Sequence, residues 1–189
     1  EEELYCDDDW ALVLGAIDFI KNYDGDKPYC IFLPLLYPHP PYGIEEPYFS
    51  MIDRDKLPPR IPAPDATVTK PIILEGIRER QKMENWTEGQ WDDLRAVYYG
   101  MCARLDDQFK ALVTTLKDQD QYDSSAIFLF SDHGDFTGDY GLVEKTQNTF
   151  EDCLAKVPFI IKPPAGTSIE PGVKNALVEL VDFPATVYE

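Results

Sequence analysis

Each of the two histidines in this 189-residue chain follows at once on a short, continuous apolar run, and that pairing limits the possible folds more than any other feature. Tyr29-Cys-Ile-Phe-Leu-Pro-Leu-Leu36 leads into Tyr37-Pro-His-Pro-Pro-Tyr42, and Ala126-Ile-Phe-Leu-Phe130 leads into Ser131-Asp-His-Gly134. Runs without polar alternation suit strands buried on both faces of a parallel sheet. Proline has no N–H to give to a ladder, so three prolines around His39 place it on a stiff loop beyond the carboxyl end of its strand. Asp132-His133-Gly134 stands at the same end of the second strand, where the glycine lets the backbone turn sharply. Val157-Pro-Phe-Ile-Ile161 reads as a third strand.

Helical patterns separate these runs. From Asp9 to Tyr23, Trp10, Leu14, Ile17 and Phe19-Ile20 recur at helical spacing, and Asp7-Asp-Asp9 ahead of them reads as an N-terminal cap. Thr87-Glu-Gly-Gln90 matches a capping box and opens a stretch in which Trp91, Leu94, Tyr98, Met101, Leu105, Phe109, Leu112 and Leu116 alternate by three and four. That spacing predicts a helix of about eight turns. Leu177 to Glu189 reads as a further helix, and the proline-rich residues 43–75 as a long irregular excursion. Strands alternating with helices imply one α/β domain of layered α/β/α type with a largely parallel sheet. In such sheets ligands bind beyond the carboxyl ends of the strands, which is where both histidines lie.

Charge narrows the ligand. With 17 basic and 35 acidic residues the net charge is -18, which opposes nucleic acid, anionic membrane surfaces and highly sulfated polymers as partners. An anionic substrate therefore needs local compensation from a metal ion or a few placed lysines. No stretch approaches the roughly 20 apolar residues of a spanning helix. Cys6, Cys30, Cys102 and Cys153 are too far apart for a zinc knuckle or a dense disulfide framework, and buried free thiols are the expectation.

Asp132 offers hard oxygen and His133 nitrogen to a divalent cation, though two adjacent side chains fill only part of a coordination sphere of six or more. Taken alone, the pair is equally a carboxylate holding a turn beside a histidine satisfied by backbone. Gly138-Asp-Tyr-Gly141-Leu-Val-Glu-Lys145 follows at once, a glycine-punctuated loop that delivers Lys145 to the same edge.

In order and spacing, Ser-Asp-His-Gly, Gly-Asp-Tyr-Gly-Leu-x-Glu-Lys, Phe-Glu-Asp and Val-Pro-Phe-Ile-Ile-Lys-Pro-Pro164 resemble the later core of sulfatases, which are alkaline-phosphatase-like hydrolases. Pro38-His-Pro-Pro41-Tyr, Glu46-Pro-Tyr-Phe, Leu105-Asp-Asp107 and Val181-Asp-Phe-Pro184 extend the likeness over essentially the whole chain. The resemblance implies that Asp132 and His133 are metal ligands, with calcium as the divalent cation. It implies that Lys145 contacts the sulfate and the ester oxygen, and that His39 faces the leaving-group oxygen. The substrate would be a small aryl or carbohydrate sulfate monoester.

The family's nucleophile is a formylglycine made from Cys-x-Pro-x-Arg or Ser-x-Pro-x-Arg, and no cysteine here fits that pattern. Lys56-Leu-Pro58-Pro-Arg60 has lysine at the nucleophile position and reads as accidental. Residues 1–189 are thus expected to be part of a catalytic domain whose nucleophile segment lies upstream and whose C-terminal subdomain lies downstream. Alone, the chain is expected to be inactive and able to self-associate through surfaces the truncation exposes. Two other readings stay open: a phosphoesterase or phosphonate hydrolase of the same superfamily, and a non-catalytic protein.

Overall fold

The computed structural model describes residues 6–65, 71–146 and 149–188. Helix α1 (Asp8–Asn22) forms where the periodicity predicts it, and Asp7 caps it by accepting from Trp10 N at 3.0 Å. A short α2 (Tyr48–Met51) and a 3-10 turn at Arg54–Lys56 give the proline-rich stretch more order than expected, and α3 (Ile72–Gln81) begins inside its last residues. Residues 66–70 of that stretch lie outside the described residues. Helix α4 (Glu88–Asp118) is the long helix, opened by the Thr87–Gln90 capping box in both directions. Strand β1 (Ile127–Phe130), a 3-10 turn at Asp139–Gly141, α5 (Asp152–Ala155), β2 (Phe159–Lys162) and α6 (Asp182–Tyr188) complete the order. The fold is a mixed α/β arrangement, as the sequence implies. Among the described residues no helix is long and apolar enough to cross a membrane.

The sheet departs from expectation in two respects. Strands β1 and β2 pair antiparallel, with Ile127 opposite Lys162 and Phe130 opposite Phe159. A parallel pair needs a crossover that carries the chain back along the strand. Among the described residues between the two strands the helical elements are only a 3-10 turn at Asp139–Gly141 and the four-residue α5, and the chain re-enters the sheet beside the end where it left, with Phe159 opposite Phe130. The predicted first strand, Tyr29–Leu36, is irregular chain with no ladder partner among the described residues, Leu35 N donating to Leu33 O at 3.1 Å, and Phe32 and Leu36 are 68% and 62% exposed.

Packing is concentrated around α4. Helices α1 and α2 lie against it, burying Trp10, Val13, Ala16 and Ile20 of α1 with Ala96 and Met101 of α4. Arg104, fully buried on α4, pairs with Asp7 and Glu45 at 2.8 Å each and lies over the Tyr37 ring at 4.5 Å. Removing one partner of such a group is costly, because the charge left behind stays desolvated. A second cluster of Leu74, Phe136, Leu142 and Leu154 fills the space under the glycine-punctuated loop. The four cysteines are free as expected, but none is fully buried: Cys6 and Cys30 are exposed, Cys102 and Cys153 intermediate.

Candidate functional site

His39, Lys145, Asp132 and His133 come from three separate segments and converge on one edge of the molecule. Lys145 Nζ lies 2.9 Å from His39 Nε2 across a sequence separation of 106. The His39 and His133 rings stand edge to face with centroids 6.3 Å apart.

Each histidine has its tautomer set by its own loop. A carbonyl oxygen only accepts, so His39 Nδ1, 2.7 Å from Pro40 O, and His133 Nδ1, 2.8 Å from Gly134 O, are the donors. In the neutral ring Nε2 then carries the lone pair. For His39 that lone pair accepts from the Lys145 ammonium; for His133 it is left to serve as a ligand.

Asp132 is 82% exposed at its side chain, and its Oδ1 accepts from His133 N at 3.0 Å. Both local roles allowed by the sequence, a carboxylate holding a turn and a histidine satisfied by backbone, are therefore real. They do not exhaust the pair. Asp132 Oδ1 and His133 Nε2 are 3.7 Å apart, a spacing at which two atoms can share one cation at about 2.1–2.5 Å each. The donor types and spacing fit a divalent ion, but these two side chains fill only a minority of its shell. Among the described residues, no group of three or more His, Cys, Asp or Glu side chains is arranged to hold a metal.

Gly134 is required here for a reason other than turning. Its backbone is not left-handed; instead a Cβ at this position would stand 1.9 Å from the Cys153 carbonyl oxygen. The Gly134 N–H donates to Leu154 O at 2.8 Å, so the His133 loop lies directly on α5. In the following loop Gly138 and Gly141 do adopt positive φ, of 98° and 67°. Thr137, Tyr140 and Glu144 share that region of backbone space despite their side chains, with Glu144 at φ 62° directly before Lys145.

Three residues outside the expected site hold it together. Buried Asp9 accepts from Leu36 N at 2.8 Å and Tyr37 N at 2.9 Å, fixing the entry to the His39 loop. The Tyr42 hydroxyl donates to Asp135, whose oxygens lie at 3.0 and 2.9 Å, and accepts from Glu144 N at 2.8 Å. Burial first, and then the Asp135 carboxylate, pushes its pKa well above the ordinary tyrosine range, so it stays a donor. Asp9 carried no long-range signal, being read only as part of a helix cap. Tyr42 and Asp135 sit beside the histidine motifs, and adjacency was the one available hint. In the Lys56–Arg60 string, Lys56 pairs with Asp53 at 2.8 Å, and Arg60 bonds Glu88 and donates to Gly138 O of the glycine-punctuated loop at 3.3 Å.

The sequence model of the family described as Sulfatase matches residues 1–189. The chain is 27% identical over 188 residues to the multifunctional alkaline phosphatase superfamily protein PehA of Trinickia caryophylli, covering 92% of this chain and 36% of that protein. It is 30% identical to choline-sulfatase of Rhizobium meliloti, covering 85% and 31% respectively. Among solved structures, the phosphonate monoester hydrolase of Agrobacterium radiobacter superposes with a TM-score of 0.71 at 26% identity, covering 82% of this chain and 32% of that one. The chain thus spans about a third of the length of these relatives.

Proposed function

The chain belongs to the sulfatase family, and from that premise we propose that the complete protein hydrolyses a sulfate monoester at the cluster of His39, Lys145, Asp132 and His133. The observation that carries this reading is the Lys145–His39 contact, which puts an ammonium donor and an imidazole with a fixed tautomer side by side. Cleavage of a sulfate ester builds negative charge on the departing oxygen and keeps it on the sulfate oxygens. A sulfate oxygen beside Lys145 would take the hydrogen bond that His39 holds in this structure, freeing Nε2, once protonated, to supply the leaving group's proton. Asp132 and His133 would hold a divalent cation, calcium by family resemblance, which supplies charge stabilisation for the substrate anion. The substrate is read as a small aryl or carbohydrate sulfate. Formylglycine, the family's nucleophile, would come from residues outside this sequence, so residues 1–189 alone should not turn over.

His39→Ala in the complete protein should lower kcat for an aryl sulfate by about 10²–10⁴-fold, the range typical of a lost general acid. Near-normal turnover would remove His39 from the chemistry. Purified residues 1–189 should show no hydrolysis of the same ester, and measurable turnover there would contradict the division of the site.

A second reading rests on the superposition with the phosphonate monoester hydrolase and the 27% identity to a protein named as multifunctional. On that reading the same cluster handles a phosphonate or phosphate ester. Comparing kcat/KM for an aryl sulfate and an aryl phosphonate monoester on one preparation separates the two.

A further inference from the structure

We propose that Tyr42 is a positioning residue: its hydroxyl joins the three segments that carry His39, His133 and Lys145, and it sets the Lys145–His39 contact. The proposal rests on the sulfate-ester reading for its activity arm and on geometry alone for its other arm.

Tyr42 lies three residues after His39 on the same proline-stiffened loop. Its hydroxyl accepts from the N–H of Glu144, the residue before Lys145, and donates to Asp135, two residues after His133. One oxygen thus links all three segments and has both its donor and its acceptor capacity filled. Asp135 is fixed in turn by Thr137, whose N–H and hydroxyl reach Oδ1 at 2.7 and 3.0 Å. The Tyr42 ring rests on Tyr98 of α4 at a centroid distance of 6.4 Å, which anchors the junction to the most heavily packed helix. Glu144 explains why such a link is needed. A non-glycine residue at φ 62° is held against its own preference, and Tyr42 occupies the N–H of that residue. Release of that N–H would let the backbone relax and carry Lys145 away from His39. Misplacement by about 1 Å can cost a reaction as much as 10²-fold.

Tyr42→Phe tests this in the complete protein, since it keeps the ring on Tyr98 and removes only the oxygen. The expected result is a roughly tenfold fall in kcat with KM changed less than about twofold, the signature of a geometry needed for the chemical step. The melting midpoint should move by no more than about 4 °C. In the ¹⁵N-correlated spectrum of the histidine rings, assigned with His39→Ala, the His39 Nε2 resonance should shift as its Lys145 donor is withdrawn. Asp135→Asn keeps an acceptor for the hydroxyl and should retain kcat within about threefold, so a loss matching that of Tyr42→Phe would count against the proposal. An unmoved His39 resonance, or an unchanged kcat, would overturn it. Absence of turnover in the unsubstituted protein would instead remove the sulfate-ester reading and leave the resonance shift as the test of Tyr42.

Discussion

The two histidine loops are alike in sequence, each an apolar run followed by a histidine, yet they are held in different ways. The His133 loop leaves a paired strand, donates a backbone N–H to α5, and fits because Gly134 has no side chain. The His39 loop leaves an irregular run without a ladder partner among the described residues and is fixed by side chains. Asp9 grips Leu36 N and Tyr37 N, 27 and 28 residues away, and Tyr42 reaches Glu144, 102 residues away. Backbone pairing and a missing Cβ are local properties, so a four-residue motif can specify them. A loop held by distant carboxylates and hydroxyls depends on the rest of the fold being in place first.

Substitutions at the two anchors should separate the loops by the size of their effects. Gly134→Ala is the more damaging, because its Cβ would collide with a backbone carbonyl that cannot swing aside. A cost of about 3 kcal/mol or more is expected for such overpacking, measured by urea unfolding of the complete protein. A cost below about 1 kcal/mol would mean that α5 yields and that the glycine is not what seats the loop. Asp9→Ala deprives two N–H groups of their acceptor and should cost about 1–3 kcal/mol. Faster amide exchange confined to Leu36, Tyr37 and the residues through Tyr42, with the His133 loop unaffected, would locate the damage. Equal acceleration in both loops would show that they are one cooperative unit.

This contrast also explains what could be read in advance. Helices α1 and α4 and the capping box were legible because periodicity and cap chemistry are written in consecutive residues. His39, Asp132, His133 and Lys145 were legible as a group through motif order, and the fold does bring them together. Tyr29–Leu36 was read as a strand on its apolar content, but pairing depends on a neighbour, and no composition of its own supplies one. The antiparallel pairing of β1 with β2 was illegible for a related reason: strand direction depends on the end at which the chain re-enters the sheet, and the residues of neither strand record that. Asp9 and Arg104 were illegible in their actual roles, since each acts on partners far along the chain.

Alkaline titration separates the buried thiols from the buried hydroxyls around the two loops. Behind the His133 loop, burial and then the neighbouring carboxylates Asp139 and Glu151 push the Cys153 thiol from 9.0 up to about 11. Burial and Asp135 do the same to Cys102 on α4. Burial, and then the Asp107 carboxylate that its hydroxyl bonds, raise Tyr48 from 10.0 to about 12, and Tyr42 is raised further. For each of these groups the folded state holds its proton more tightly than the unfolded chain does. Its contribution is therefore complete below the unfolded value and is lost as pH rises through the folded one. Stability should begin to fall above pH 9 as the thiols titrate in the unfolded chain, and fall more steeply above pH 10 when the tyrosines join. Urea midpoints measured at intervals from pH 8 to 11 would trace this. Replacing both Cys102 and Cys153 by alanine should flatten the first part of the decline and leave the second, which belongs to the tyrosine hydroxyls, those of Tyr98 on α4 and Tyr140 beside Cys153 included. If the slope between pH 9 and 10 survives that double substitution, the thiols are not its source.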